Sequence, residues 1–153
     1  MKDITWLQIT QIIANNESKC ISRKVGSVIV KNDRLVGHGY NGTPAGQVNC
    51  CDMWAHAKLN NEWVSEDYHI EHHEWSKSNE IHAEMNAIMH SSAEDRNGAT
   101  LYCTLQPCPE CSKNIAGSGI KEVIYAEKYH RTKDESVEIL KNAGITVKHI
   151  PLV

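Results

Sequence analysis

The sequence predicts an α/β domain of three layers, a mixed sheet of about five strands with helices on both faces. Three observations point there. Strand-like and helix-like segments alternate through the second half, which implies parallel strands joined by helical crossovers. The first half holds two β-rich runs around a short turn, the pattern of an antiparallel hairpin. The length of 153 residues and the 41% hydrophobic content suit one domain that buries its core without disulfide staples.

Each element has its own signal. Residues 4–16 read as a helix, with Ile4, Leu7, Ile9, Ile12 and Ile13 at roughly helical spacing. Residues 25–30 are β-branched and read as a strand, 31–33 as a turn, and 34–40 as a second strand. Gly42, Pro44 and Gly46 make 41–46 a loop. Residues 47–78 are polar and carry His56, His69, His72 and His73, so they read as an insertion, helical in part around 53–63. Residues 80–92 return to helical spacing with Ile81, Met85, Ile88 and Met89. A strand follows at 99–105, a helix at 108–118 that stops at Gly119, and a strand at 122–126. A helix over 133–143, ended by Gly144, and a short strand at 146–150 complete the chain, which reads as one domain over 1–153.

Composition narrows the function. A net charge of −3 counts against a protein held to nucleic acid by bulk positive charge. The N-terminus carries no apolar signal segment and no run is long enough to span a bilayer, so a cytoplasmic location is expected. There are six cysteines and nine histidines. In a reducing compartment such cysteines serve as metal ligands or catalytic groups more often than as disulfides.

Two short motifs carry the chemistry. His82-Ala83-Glu84 opens one predicted helix, and Pro107-Cys108-Pro109-Glu110-Cys111 opens the next. One imidazole and two thiolates supply three zinc ligands, which leaves the fourth position for water, the catalytic arrangement. Cys108 and Cys111 are three apart, so they share a helix face, in the first turn where the dipole favours thiolates. Two thiolates neutralise the zinc charge and weaken its pull on water, so a nearby base is needed, and Glu84 stands two residues from a ligand. A carboxylate moving protons beside a metal-activated water suits hydrolytic removal of an amine from a heteroaromatic ring. The bland alternative is a closed structural zinc knuckle, with Cys103 or Cys50 as the fourth ligand.

The pattern H-x-E followed by P-C-x-x-C is the signature of zinc deaminases. With Val25-Gly26, Gly39-Tyr40-Asn41-Gly42, Val48-Asn49-Cys50-Cys51-Asp52, Asn79-Glu80-Ile81-His82-Ala83-Glu84 and the 104–111 stretch, the sequence resembles the cytidine deaminase superfamily over nearly its whole length. Within it the resemblance is to the deoxycytidylate (dCMP) deaminases of phage type. The resemblance implies a cytidine deaminase-like fold and the conversion of dCMP to dUMP and ammonia, supplying dUMP for dTMP synthesis. It implies that His82, Cys108 and Cys111 hold the catalytic zinc and that Glu84 shuttles protons. It implies that Asn41 binds the sugar hydroxyl and that the Ala83 N–H binds the pyrimidine carbonyl. Gly39, Tyr40, Asn41 and Gly42 match an allosteric nucleotide motif, which implies dCTP as activator and dTTP as inhibitor, with Mg²⁺, in a hexamer. Cys20, Cys50, His72 and Glu80 match the positions of a second, structural zinc. Arg23 and Tyr129 are the expected phosphate contacts, since a dianion needs cationic or N–H partners.

Three rivals remain at this point. A deaminase acting on nucleic acid, such as a tRNA adenosine deaminase, shares both motifs but calls for a basic groove with exposed aromatics. A free-nucleoside deaminase needs no phosphate partner. A non-catalytic zinc module leaves Glu84 without a task.

Overall fold

The β-branched run and the turn after it set the first edge of the sheet. In the computed structural model, which describes residues 1–131 and 134–152, β1 (Gly26–Lys31) pairs antiparallel with β2 (Arg34–Tyr40). Asn32 and Asp33 take φ of 51° and 58° in the turn, the left-handed values that a two-residue hairpin requires. β5 (Thr100–Leu105) pairs antiparallel with β1, then parallel with β6 (Glu122–Glu127), which pairs parallel with β7 (Thr146–His149). The five strands run in the order β2-β1-β5-β6-β7, the mixed sheet that the alternating pattern implies. No helix among the described residues is long and apolar enough to cross a membrane.

Helices cover both faces. α1 (Asp3–Glu17) lays Trp6 and Leu7 on Val28, Val30, Tyr102, Ile124 and Ala126. Ile9 and Ile13 are partly buried there, but Ile12 faces solvent; the buried stripe of α1 runs through Trp6, Leu7, Thr10 and Ala14. The opposite face is covered by α4 (Ala83–Met89), α6 (Pro109–Ala116) and α7 (Glu135–Asn142), which bury Ala87, Ile115 and Leu140 against Ile29, Leu101, Val123 and Tyr125. A short α5 (Ala93–Arg96), not expected from the sequence, is capped by the Ser92 hydroxyl. Residue 133, the expected start of the last helix, lies outside the described residues.

The insertion differs most from its expected form. Of residues 53–63 only Met53 is helical. A single turn, α2 (Cys50–Met53), leads to a miniature hairpin of β3 (Lys58–Leu59) and β4 (Glu62–Trp63), turned by Asn60 and Asn61 at positive φ. The long helix comes later, as α3 (Glu66–Asn79), with Ser65 as N-cap. Only His72 of α3 is buried. Its ring is surrounded by Trp54, Trp63 and Trp75, with centroids 5.4, 5.4 and 5.9 Å away. An aromatic box around one imidazole, rather than an apolar stripe, seats this helix.

β2 lies hard against α4. A Cβ on Gly39 would overlap the Ala83 carbonyl and the Ala87 amide, so only glycine permits this approach. Gly39→Ala is expected to cost about 1–3 kcal/mol through overpacking, read as a lower midpoint in urea unfolding.

Candidate active site and metal centres

The parallel strand β5 ends at Leu105, and the chain enters α6 at Pro109, three residues after Gln106. The carboxyl edge of such strands is where α/β sheets place their ligands. Cys108 is the N-cap of α6, one step outside the helix rather than in its first turn, and its thiol accepts the Cys111 N–H at 3.4 Å. His82 is likewise the N-cap of α4, so the helix expected over 80–92 begins at Ala83. The segment before it is extended because Ile81 exchanges two backbone hydrogen bonds with Gly42, at 2.8 and 3.1 Å.

The two N-termini meet. His82 Nδ1 lies 3.2 Å from Cys111 Sγ and 3.6 Å from Cys108 Sγ, and the three donor atoms fall within 4.8 Å of one another. Zinc bonds of about 2.0–2.3 Å in a tetrahedron place nitrogen and sulfur about 3.5 Å apart, so this donor set fits the metal. The hydrogen bond from Cys111 and the nearby His82 hold the Cys108 thiol down at about 4, and Cys108 in turn raises His82 to about 9. Among the described residues no fourth side chain joins this cluster. Cys103 instead packs in the core against Ser27, and Cys50 belongs to a different group, so the closed knuckle finds no fourth ligand here. Glu84 is buried on the first turn of α4 beside Cys111, and that burial raises its carboxyl above the usual range.

The second group is closed and wholly buried. Cys50 Sγ lies 3.1 Å from His72 Nε2, Cys20 Sγ lies 3.3 Å from Glu80 Oε1, and His72 Nε2 is 3.7 Å from that same oxygen. Burial lifts the Glu80 carboxyl to about 7, while the neighbouring Cys50 and His72 pull the Cys20 thiol down to about 3. The other Glu80 oxygen, Oε2, is buried with no hydrogen-bond partner. Two sulfurs, an imidazole and a carboxylate with an unsatisfied oxygen can hold a four-coordinate cation.

One cavity of about 420 Å³ joins the two groups. His82, Ala83, Glu84 and Cys108 line one part and Cys20, His72 and Glu80 another. Asn41, Arg23 and Tyr129 line it too. Arg23 is paired with Glu127 at 2.6 Å. Sequence reasoning missed His73, Ser76 and Lys77, which α3 contributes to the same wall, because α3 itself was not expected. It also missed Gln106, whose amide oxygen accepts the Tyr129 N–H at 3.1 Å and whose nitrogen donates to Ser136 at 2.8 Å. A second cavity of about 650 Å³ is lined by Gly39, Tyr40, Asn41 and Gly42 with Lys19, His38, Asn86 and Met89.

Residues 1–127 match the family described as the cytidine and deoxycytidylate deaminase zinc-binding region. The chain belongs to that family. Membership makes it a hydrolytic deaminase and accounts for a metal-binding donor set at the mouth of the sheet. It is 45% identical over 176 residues to the deoxycytidylate deaminase of Enterobacteria phage T4, covering 99% of this chain and 91% of the relative. The deoxycytidylate deaminase of Saccharomyces cerevisiae is 41% identical over 138 residues, covering 89% of this chain and 41% of the yeast protein. Among solved structures, the dCMP deaminase of cyanophage S-TIM5 in complex with dCMP and dUMP superposes with a TM-score of 0.72 at 30% identity, covering 98% of this chain and 99% of that one. The expected cytidine deaminase-like fold is therefore the observed one.

Proposed function

We propose that the protein converts dCMP to dUMP and ammonia with a catalytic zinc held by His82, Cys108 and Cys111. The observation that carries this reading is the three-donor cluster with Glu84 buried beside it in one cavity, in a chain of this family. The phage and cyanophage relatives support dCMP as substrate.

Bound by His82, Cys108 and Cys111, a zinc ion would supply a Lewis acid that lowers the pKa of a water and so eases its deprotonation. Glu84 takes a proton from that water and delivers it to the ring nitrogen beside the carbon under attack. It then passes the second proton to the departing amine, so water and dCMP are consumed and dUMP and ammonia leave. Its burial raises the carboxyl's proton affinity, which suits a group that must both accept and return protons. The Ala83 N–H holds the pyrimidine carbonyl. Asn41 has one amide N–H left for the sugar hydroxyl, because its oxygen and its other N–H are engaged by Ser18, Val25 and Arg23. Arg23 exchanges Glu127 for the 5′-phosphate, with Tyr129 beside it.

The Cys20, Cys50, His72 and Glu80 group holds a second, structural zinc that ties α3 to the segment before α4. The cavity at Gly39, Tyr40, Asn41 and Gly42 takes dCTP as activator and dTTP as inhibitor, each with Mg²⁺, in a hexamer. The exposed Tyr40 and Met89 at its rim favour a subunit contact there. The whole chain acts as one domain, and its product supplies dTMP synthesis.

Ammonia release is measured with dCMP, deoxycytidine, cytosine and a tRNA anticodon stem, with and without dCTP and Mg²⁺. Turnover of dCMP, raised by dCTP and lowered by dTTP, is expected; efficient turnover of deoxycytidine without dCMP would contradict the substrate. Glu84→Gln is expected to keep its zinc and lose at least about 100-fold in kcat, and a near-normal rate would remove the shuttle role. Metal analysis of the unmutated protein is expected to find two zincs per chain, falling to one in Cys108→Ala; a value near one before mutation would discard the second site.

A further inference from the structure

The two cavities share a wall, and Asn41 stands in it, lining both. Protein groups fix that side chain from two directions. Ser18 Oγ donates to Asn41 Oδ1 at 2.6 Å, and the Val25 N–H donates to the same oxygen at 2.9 Å. Asn41 Nδ2 donates to the Arg23 carbonyl at 2.8 Å, and the Asn41 N–H to the Val25 carbonyl at 3.1 Å.

Ser18 is the anchor of this arrangement. It is the C-cap of α1, with its own N–H on the Ala14 carbonyl at 3.2 Å, and it is only 3% exposed. Its oxygen also accepts the Cys20 N–H at 3.4 Å. One buried hydroxyl therefore joins two segments. Residues 18–25 carry Cys20 and Arg23 into the first cavity, and residues 39–47 form the lining of the second. The next residue along, Gly42, is bonded to Ile81, which lies between Glu80 of one donor group and His82 of the other. Any shift of the 39–47 loop thus meets both donor groups and the Arg23 segment through short, directed bonds.

We propose that Ser18 is a positioning residue. Its hydroxyl holds Asn41 in the orientation that binds the nucleotide, and it carries the effect of a nucleoside triphosphate in the second cavity to the first. This rests on the function proposed above. Without the hydroxyl, Asn41 Oδ1 keeps one donor instead of two, the amide is held by its Val25 and Arg23 bonds alone, and the buried Cys20 N–H loses an acceptor. The loss falls on ground-state binding, so KM moves and kcat does not.

The test compares Ser18→Ala with Ser18→Thr, which keeps the hydroxyl, in zinc-loaded protein. Ser18→Ala is expected to raise KM for dCMP about five- to tenfold, the loss of one buried hydrogen bond, with kcat within about twofold. dCTP with Mg²⁺ no longer lowers that KM, although calorimetry finds dCTP bound within about twofold of its unmutated affinity. Ser18→Thr restores both responses. If Ser18→Ala does not fold, Ser18→Cys, a weaker donor, takes its place in the same measurements. A folded variant with unchanged KM and unchanged dCTP response overturns the inference, as does a Ser18→Thr protein as impaired as Ser18→Ala. Unmutated protein that turns over no dCMP, or ignores dCTP and dTTP, overturns the preceding reading and this inference with it.

Discussion

Two helices begin at the same point, and the site depends on that convergence. α4 starts after His82 and α6 after Cys108, so each helix offers its N-cap side chain to the other. The meeting needs α4 to lie close on β2, which the missing side chain of Gly39 permits. It needs the segment 80–82 to stay extended, which the paired backbone bonds of Gly42 and Ile81 enforce. It needs β5 to end beside β6, so that α6 opens at the carboxyl edge of the parallel strands. Each of these contacts sets where an imidazole or a thiol stands relative to the others.

The two donor groups differ in a way that matters chemically. One has three donors at a cavity mouth, with His82 exposed, Cys108 half-buried and Cys111 buried. The other has four donors, all buried. Open coordination suits reaction and closed coordination suits anchorage. Glu80 and His82 are separated by a single residue, so a cation in the closed group would steady the chain that presents a ligand to the open one.

Much of this was legible in the sequence. The hairpin followed from its β-branched run and its Asn-Asp turn, the crossovers from alternation, and the donor set from residue type and order. α3 was not legible as a helix at its true position. Its one buried residue is His72, and what seats it is an aromatic box drawn from three places in the chain. Periodicity cannot report a helix whose burial has no stripe. The starts of α4 and α6 were shifted because His82 and Cys108, read inside the first helical turn, are the N-caps just outside it. Ser18 gave no signal at all, because a lone serine after a helix is ordinary until its hydroxyl is seen to meet Asn41.

The central claim is a zinc with one nitrogen and two sulfur ligands and a solvent-facing vertex beside Glu84. Diffraction from crystals of the metal-loaded protein, collected on both sides of the zinc absorption edge, tests it most directly. The account predicts an anomalous peak among His82, Cys108 and Cys111, with the Glu84 carboxylate facing the vertex that no side chain fills. A fourth protein ligand at that vertex, or a Glu84 carboxylate turned away from it, would contradict the account.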